Sequence, residues 1–280
     1  MIVSGKRGPN YLASRFYRAR FSLARSLLMS VEVQEGERAY RFDCNSYTEF
    51  KRASTLFQKE EGTIAWLRAV LRPGDAFCDI GANIGLYSVV AGDVVGEAGE
   101  VAAFEPHPAN AMSLMQNIAL NGLVERTKVI SAALSDNTGF FDFNIREAIA
   151  GSSMSQLGQT IDGNGEAFVP VLRECKAAFT LDDLVGQGVV RSPDAVKIDV
   201  DGNELLVLAG MKGIMESDAR PRSVQVEVNH RYEAELDDFM QGLGYRLTDR
   251  HYTSIGKRKI AKGADPISVA HNAVYSAIAA

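Results

Sequence analysis

The chain has 280 residues, 46% hydrophobic and 23% charged, with a formal net charge of −5. That balance suits one large α/β domain with an appendage, and the negative charge argues against broad nucleic-acid binding. No run approaches the roughly 20 apolar residues of a membrane span, and the N-terminus lacks the apolar core of a secretory signal. Cys44, Cys78 and Cys175 are scattered without metal-ligand spacing. A reduced, cytoplasmic protein is the simplest expectation.

Residues 1–55 read as an N-terminal extension. Lys6, Arg7, Arg15, Arg18, Arg20 and Arg25 are its only charges before residue 29, so residues 29–280 carry about −11. Residues 10–28 pattern as an amphipathic helix, with Ser14, Arg15, Arg18, Ser22 and Arg25 on one face and Leu12, Phe16, Leu23 and Leu27 mostly on the other. Such a helix would dock on the core or on a second subunit, giving a homo-oligomer; a membrane surface or an anionic partner is the alternative. Residues 31–43 alternate like strands around Glu35-Gly36, and 56–71 read as a helix leading into Pro73-Gly74.

The most informative stretch follows. Phe77-Cys78-Asp79-Ile80 is a short apolar strand; Gly81-Ala82-Asn83-Ile84-Gly85 is a glycine turn; a helical pattern begins at Leu86. Strand, glycine turn and helix make a nucleotide-type pocket, because glycine admits close backbone approach. A dinucleotide site wants Gly-x-Gly-x-x-Gly, whereas this turn reads Asp-x-Gly-x-x-x-Gly. A carboxylate beside the turn would repel a pyrophosphate and suits an ammonium or sulfonium group. The next strand, 101–105, ends at Glu105-Pro106, where a carboxylate can accept both hydroxyls of a ribose. A ribose, a cationic group and no phosphate describe S-adenosylmethionine.

Further strands are expected near 127–133, 195–199, 223–228, 244–248 and 272–278, with helices near 84–92, 108–121, 202–216 and 232–242. Strand–helix alternation implies a mostly parallel sheet covered on both faces, and the short 249–271 link suits a final antiparallel hairpin. Residues 138–180 break the rhythm: Phe140-Phe141-Asp142-Phe143 alternates as an edge strand, and Gly151-Ser152-Ser153 and Asp162-Gly163-Asn164-Gly165 are loop-like. This insertion is the expected carrier of substrate contacts.

The series Asp79-Ile80-Gly81-Ala82-Asn83-Ile84-Gly85-Leu86-Tyr87-Ser88, Phe104-Glu105-Pro106-His107-Pro108, Asn117-Ile118-Ala119-Leu120-Asn121, Ala133-Leu134-Ser135-Asp136, Thr180-Leu181-Asp182-Asp183-Leu184 and Val196-Lys197-Ile198-Asp199-Val200-Asp201-Gly202-Asn203-Glu204 resembles the FkbM-type methyltransferases. The resemblance spans roughly residues 56–230. It departs at Asp201, where the family usually has Glu, and the shorter side chain weakens any contact made there. It implies a class I, Rossmann-like fold: a seven-stranded, mostly parallel sheet with one antiparallel strand, occupying residues 56–280. It also implies S-adenosylmethionine as methyl donor and, as acceptor, a hydroxyl of a sugar or polyketide-type natural product. Substrate identity does not follow from fold.

Expected cofactor contacts are Asp79, Gly81, Ala82, Asn83, Gly85, Glu105 and Pro106, with Ser135 and Asp136 at the adenine edge and Asp199 near the methyl group. Glu60 and Thr63 match a family position near the methionine end. Methylating an alcohol requires alignment and removal of a proton whose pKa lies far above 7. Asp199, Glu227 and His230 end adjacent strands and are the candidate catalytic groups. Asp199, Asp201 and Glu227 could instead form an oxygen-rich Mg²⁺ site. Competing structural roles are a capping box of Asp201 with Glu204 for a helix starting at Gly202, a Lys197 ion pair, and a surface or cap role for His230. Trp66 and the Phe140–Phe143 alternation read as core. The expected function is small-molecule O-methylation; RNA or protein methylation and non-catalytic cofactor binding are the alternatives.

Overall fold

A computed structural model describes residues 11–228 and 232–278. Strands β1 (Ala76–Ile80), β2 (Glu100–Phe104), β3 (Thr127–Ile130), β4 (Ala195–Ile198), β5 (Ser223–Val228), β6 (Tyr245–His251) and β7 (His271–Ala277) form one sheet, in the order β6-β7-β5-β4-β1-β2-β3. β7 runs antiparallel to both neighbours, and the pairs from β5 to β3 are parallel. This is the seven-stranded class I architecture expected from the sequence. Strand order reverses between β1 and β4, which opens a crevice at the strands' C-terminal ends.

Side-chain alternation builds two cores. Val224, Val226 and Val228 of β5 pack with Ile198 and Leu236 on one face. Ser223, Gln225 and Glu227 take the other face, where Trp66 Nε1 donates to Ser223 Oγ at 2.9 Å. On that same face Lys197 lies in register with Asp79 on one side and Gln225 on the other. All three are buried, giving a polar rung in a face otherwise filled by residues such as Phe77, Val90 and Leu67.

The hairpin Met29–Glu35/Arg38–Cys44 turns at Gly36 and packs on the helix Pro108–Leu120. Asn117 Oδ1 accepts from Asp43 N, and Asn121 Oδ1 from Arg41 N, each at 2.9 Å. Tyr40 and Phe42 thereby join the main core. The helix Tyr11–Ser26 leaves Phe16, Phe21 and Leu23 exposed, so among the described residues it does not dock on this chain's core.

Several elements differ from expectation. The helix expected over 56–71 breaks at Glu60, whose φ of −132° separates Leu56–Lys59 from Glu61–Val70. The helix expected over 202–216 is split into Glu204–Ala209 and Lys212–Glu216. Between them a Cβ at Gly210 would stand 2.0 Å from Ser135 O. The third strand ends at Ile130; Ala133–Leu134 pairs instead with Leu172–Phe179 in a second, four-stranded sheet. Gly139–Ile145 lies inside that sheet, between Leu172–Phe179 and Gln156–Leu157. It is not the edge strand its alternation suggests, because the insertion supplies its own pairing partners on both sides.

Candidate active site

The two turn glycines are required by the protein's own packing. Gly81 has φ +80°, and a Cβ there would meet Asp199 O at 1.9 Å; Gly85 has φ +86°, and its Cβ would meet Leu114 Cδ1 at 2.5 Å. The close approach they permit is that of β4 and of the helix Pro108–Leu120, in addition to any ligand. Asn83, also at positive φ (+51°), donates its backbone N–H to Glu105 Oε2 at 2.7 Å. The turn is thus tied to the tip of β2.

A cavity of about 240 Å³ opens over these strand ends. Of the expected cofactor residues, Glu60, Gly81, Asn83, Glu105, Pro106 and Asp199 line it, and Ala82 lines a smaller recess over the turn. Thr63, Asp79, Gly85, Ser135 and Asp136 line neither. Thr63 is buried, with Asn272 Nδ2 3.3 Å from its hydroxyl. Ser135 donates to Asp136 Oδ1 at 3.1 Å, beyond the point where β3 has ended. Asp79 faces the helix Leu86–Val95 rather than the cavity: its Oδ2 accepts from Ser88 Oγ at 2.6 Å, and its Oδ1 lies 3.9 Å from Lys197 Nζ. Alternation along β1 places Ile80, not Asp79, on the cavity wall. Burial raises the Asp79 carboxyl against the pull of Lys197.

Glu105 is the cavity's best-held acid. Oε1 accepts from His107 N at 2.8 Å, with Asn110 Nδ2 3.5 Å away, and Oε2 accepts from Asn83 N. Burial pushes the carboxyl up to about 7 despite these donors. Oε2 retains a lone pair for a further donor, and Oε1 could take a second hydroxyl in place of the long Asn110 contact, which fits the paired hydroxyls of a ribose. His107 Nδ1 is buried at the same wall without a hydrogen-bond partner among the described residues.

The acids at β4 and β5 form a second group. Asp199, Asp201 and Glu227 each bring an oxygen within 4.8 Å of the others. Lys197, buried beneath them, donates to Asp199 Oδ2 at 2.9 Å and lies 4.9 Å from the Tyr87 ring centre. Burial works to raise the Asp199 carboxyl, but the Lys197 ammonium, the Arg52 charge and a hydrogen bond from Glu227 together hold the group below its usual value. The Asp199 charge, and then burial, pushes Glu227 well above the carboxylate range. The two acids are thus pushed in opposite directions, Asp199 toward ionisation and Glu227 toward its protonated form. Burial pushes Asp201 up to about 6.

Asp201 does not cap the following helix. Its φ of +60° turns Oδ2 onto Met154 N at 2.6 Å, while Gln156 Nε2 donates to its carbonyl. Glu204 alone reaches back, accepting from Val200 N at 3.2 Å and Gly202 N at 3.0 Å. His230 lies outside the described residues. His251 bonds Asp249 Oδ2 at 2.8 Å, and its ring packs against Gly62.

The sequence reading missed Arg52, Asn110 and the Ser152–Met154 segment as individual contributors, all of which line the cavity. Asn83 Nδ2 and Asn110 Nδ2 both donate to Ser152 O, at 2.8 and 3.1 Å, closing the insertion over the turn. The loop-like Gly151-Ser152-Ser153 pointed to this region. Nothing near Arg52 in sequence did so.

A family model for the methyltransferase FkbM domain matches residues 79–247. The hexuronic acid methyltransferase AglP of Haloferax volcanii is 27% identical over 180 residues, 64% of this chain and 67% of that protein. Among solved structures, a SAM-dependent O-methyltransferase of Thermotoga maritima has a TM-score of 0.45 at 11% identity, covering 89% of this chain and 78% of that one. Fibrillarin of Aeropyrum pernix with natively bound S-adenosylmethionine has a TM-score of 0.45 at 12% identity, covering 88% and 82%. Those two likenesses are too distant to bear on substrate. The match over residues 79–247, more than half of the chain, decides the assignment: this chain belongs to the FkbM methyltransferase family and is an S-adenosylmethionine-dependent methyltransferase.

Proposed function

We propose that the enzyme methylates a hydroxyl oxygen of a sugar or polyhydroxylated small molecule. The observation that carries this reading is Asp199: a carboxyl group just past β4, 2.9 Å from the buried Lys197 ammonium and facing the cavity beside Glu227. Bound S-adenosylmethionine supplies a methyl carbon already activated by S⁺. Glu105 holds the donor's ribose hydroxyls. Asp199 accepts a hydrogen bond from the acceptor hydroxyl and so aligns its oxygen. As the oxygen takes the methyl group, the Asp199–Glu227 pair would receive the hydroxyl proton, and the donor would supply the leaving thioether. The sugar preference draws support from the hexuronic acid relative. Five acidic side chains (Glu60, Glu105, Asp199, Asp201, Glu227) on the cavity wall disfavour a nucleic-acid acceptor.

Asp199→Asn should keep donor binding by calorimetry and lose about 100-fold or more in turnover; undiminished turnover refutes the role. The carboxylate trio favours a second reading, in which Asp199, Asp201 and Glu227 hold Mg²⁺. Exhaustive chelation separates the two: activity that survives it supports the shared-proton account, and activity restored by added Mg²⁺ supports the metal.

A further inference from the structure

Arg52 enters the cavity from the helix Tyr47–Ser54 and borders both the main chamber and the recess over the glycine turn. Its Nε donates to Gly151 O at 2.7 Å. Its two terminal nitrogens, with four N–H donors, have no hydrogen-bond or ion-pair partner among the described residues. Other half-buried arginines are treated differently by this fold. Arg68 grips Glu35, Arg146 grips Asp162, and Arg222 grips Asp75 and Asp194.

Acids near Arg52 are already engaged. Asp199 is held by Lys197, Asp201 by Met154 N, Glu105 by Asn83 N and His107 N, and Glu60 lies 3.2 Å from Lys59 Nζ. A guanidinium with a spare planar fork, fixed at its Nε and aimed into a cavity, matches a carboxylate in two parallel hydrogen bonds. A phosphate dianion fits less well, because it would face the five acids of the wall.

We propose that Arg52 is the carboxylate anchor of this cavity. Two sources present that chemistry: the amino-acid tail of the methyl donor, and an acidic sugar as acceptor. Only the second rests on the reading of the acceptor given above.

Titration calorimetry on the full chain decides both. The donor arm compares S-adenosylmethionine with its decarboxylated analogue. The acceptor arm compares methyl glucuronide with methyl glucoside, with S-adenosylhomocysteine present. In at least one pair the carboxylated member should bind wild type about tenfold or more tighter. Arg52→Ala should abolish that ratio, and Arg52→Lys should retain part of it. Loss of the Gly151 contact alone would weaken both members equally and leave the ratio standing. A ratio that persists in Arg52→Ala, or wild type that discriminates in neither pair, overturns the proposal. Failure of both glycosides to bind counts against the sugar reading, while the donor arm still decides Arg52.

Discussion

Lys197→Met tests the polar rung beneath the site. Lys197 is 1% exposed, and its Nζ lies 2.9 Å from Asp199 and 3.9 Å from Asp79. Methionine keeps much of the stem's volume and removes the charge, leaving two carboxylates without their cation. Removing one side of a buried ion pair costs about 3–5 kcal/mol. In a domain of this size 1 kcal/mol moves Tm by about 2 °C, so the variant should melt about 6–10 °C below wild type at pH 8. The sign with pH is determinate. Without the ammonium, the folded-state values of Asp79 and Asp199 rise above their unfolded values near 4. Stability from such acids is fully present below the unfolded value and is lost as pH rises through the folded one. The deficit should therefore narrow as pH falls from 8 to 5, and adding Asp79→Asn should recover part of it at pH 8. Calorimetric melts at pH 5, 6.5 and 8 measure this. Equal Tm at pH 8, or a deficit constant across the three, refutes the reasoning.

Gly81→Ala should destabilise by more than about 2 kcal/mol in denaturant unfolding, since it combines positive φ with a backbone clash against Asp199; a wild-type midpoint would sink that account. Glu105→Gln should weaken donor binding about 10-fold or more by calorimetry, because an amide cannot accept from both Asn83 N and His107 N and still serve a ribose. Glu105 and Glu204, both pushed up to about 7 by burial, cost stability once ionised. The ligand-free protein should therefore lose stability as pH rises from about 5 to 8, by about 3 kcal/mol from Glu105 alone. A flat denaturant midpoint over that range contradicts it.

The sheet was legible because its signals are local. Apolar runs of four to six residues, punctuated by Pro73-Gly74 and Glu105-Pro106, mark β1, β2, β4 and β5 within a residue or two. The short break after Ile130 was not, since Ala133–Leu134 is apolar whether it prolongs β3 or pairs with Leu172–Phe179. In the site, strand-tip residues Glu105, Asp199 and Glu227 were found because their place follows from strand ends. Asp79 sits on the face of β1 turned to Ser88 and Lys197, a matter of period-two facing that the turn motif alone does not show. Arg52 was invisible: it stands 29 residues before Gly81, and only tertiary packing of the Tyr47–Ser54 helix carries it to the cavity.

That packing has a practical side. Ser46 Oγ donates to Ala150 O at 2.7 Å and Arg52 Nε to Gly151 O, so residues 46–52 and the loop that roofs the pocket are stitched together. Anyone replacing the roof with another sequence would have to preserve its two contacts with residues 46–52. The roof and its support are discontinuous in the chain and contiguous only in space.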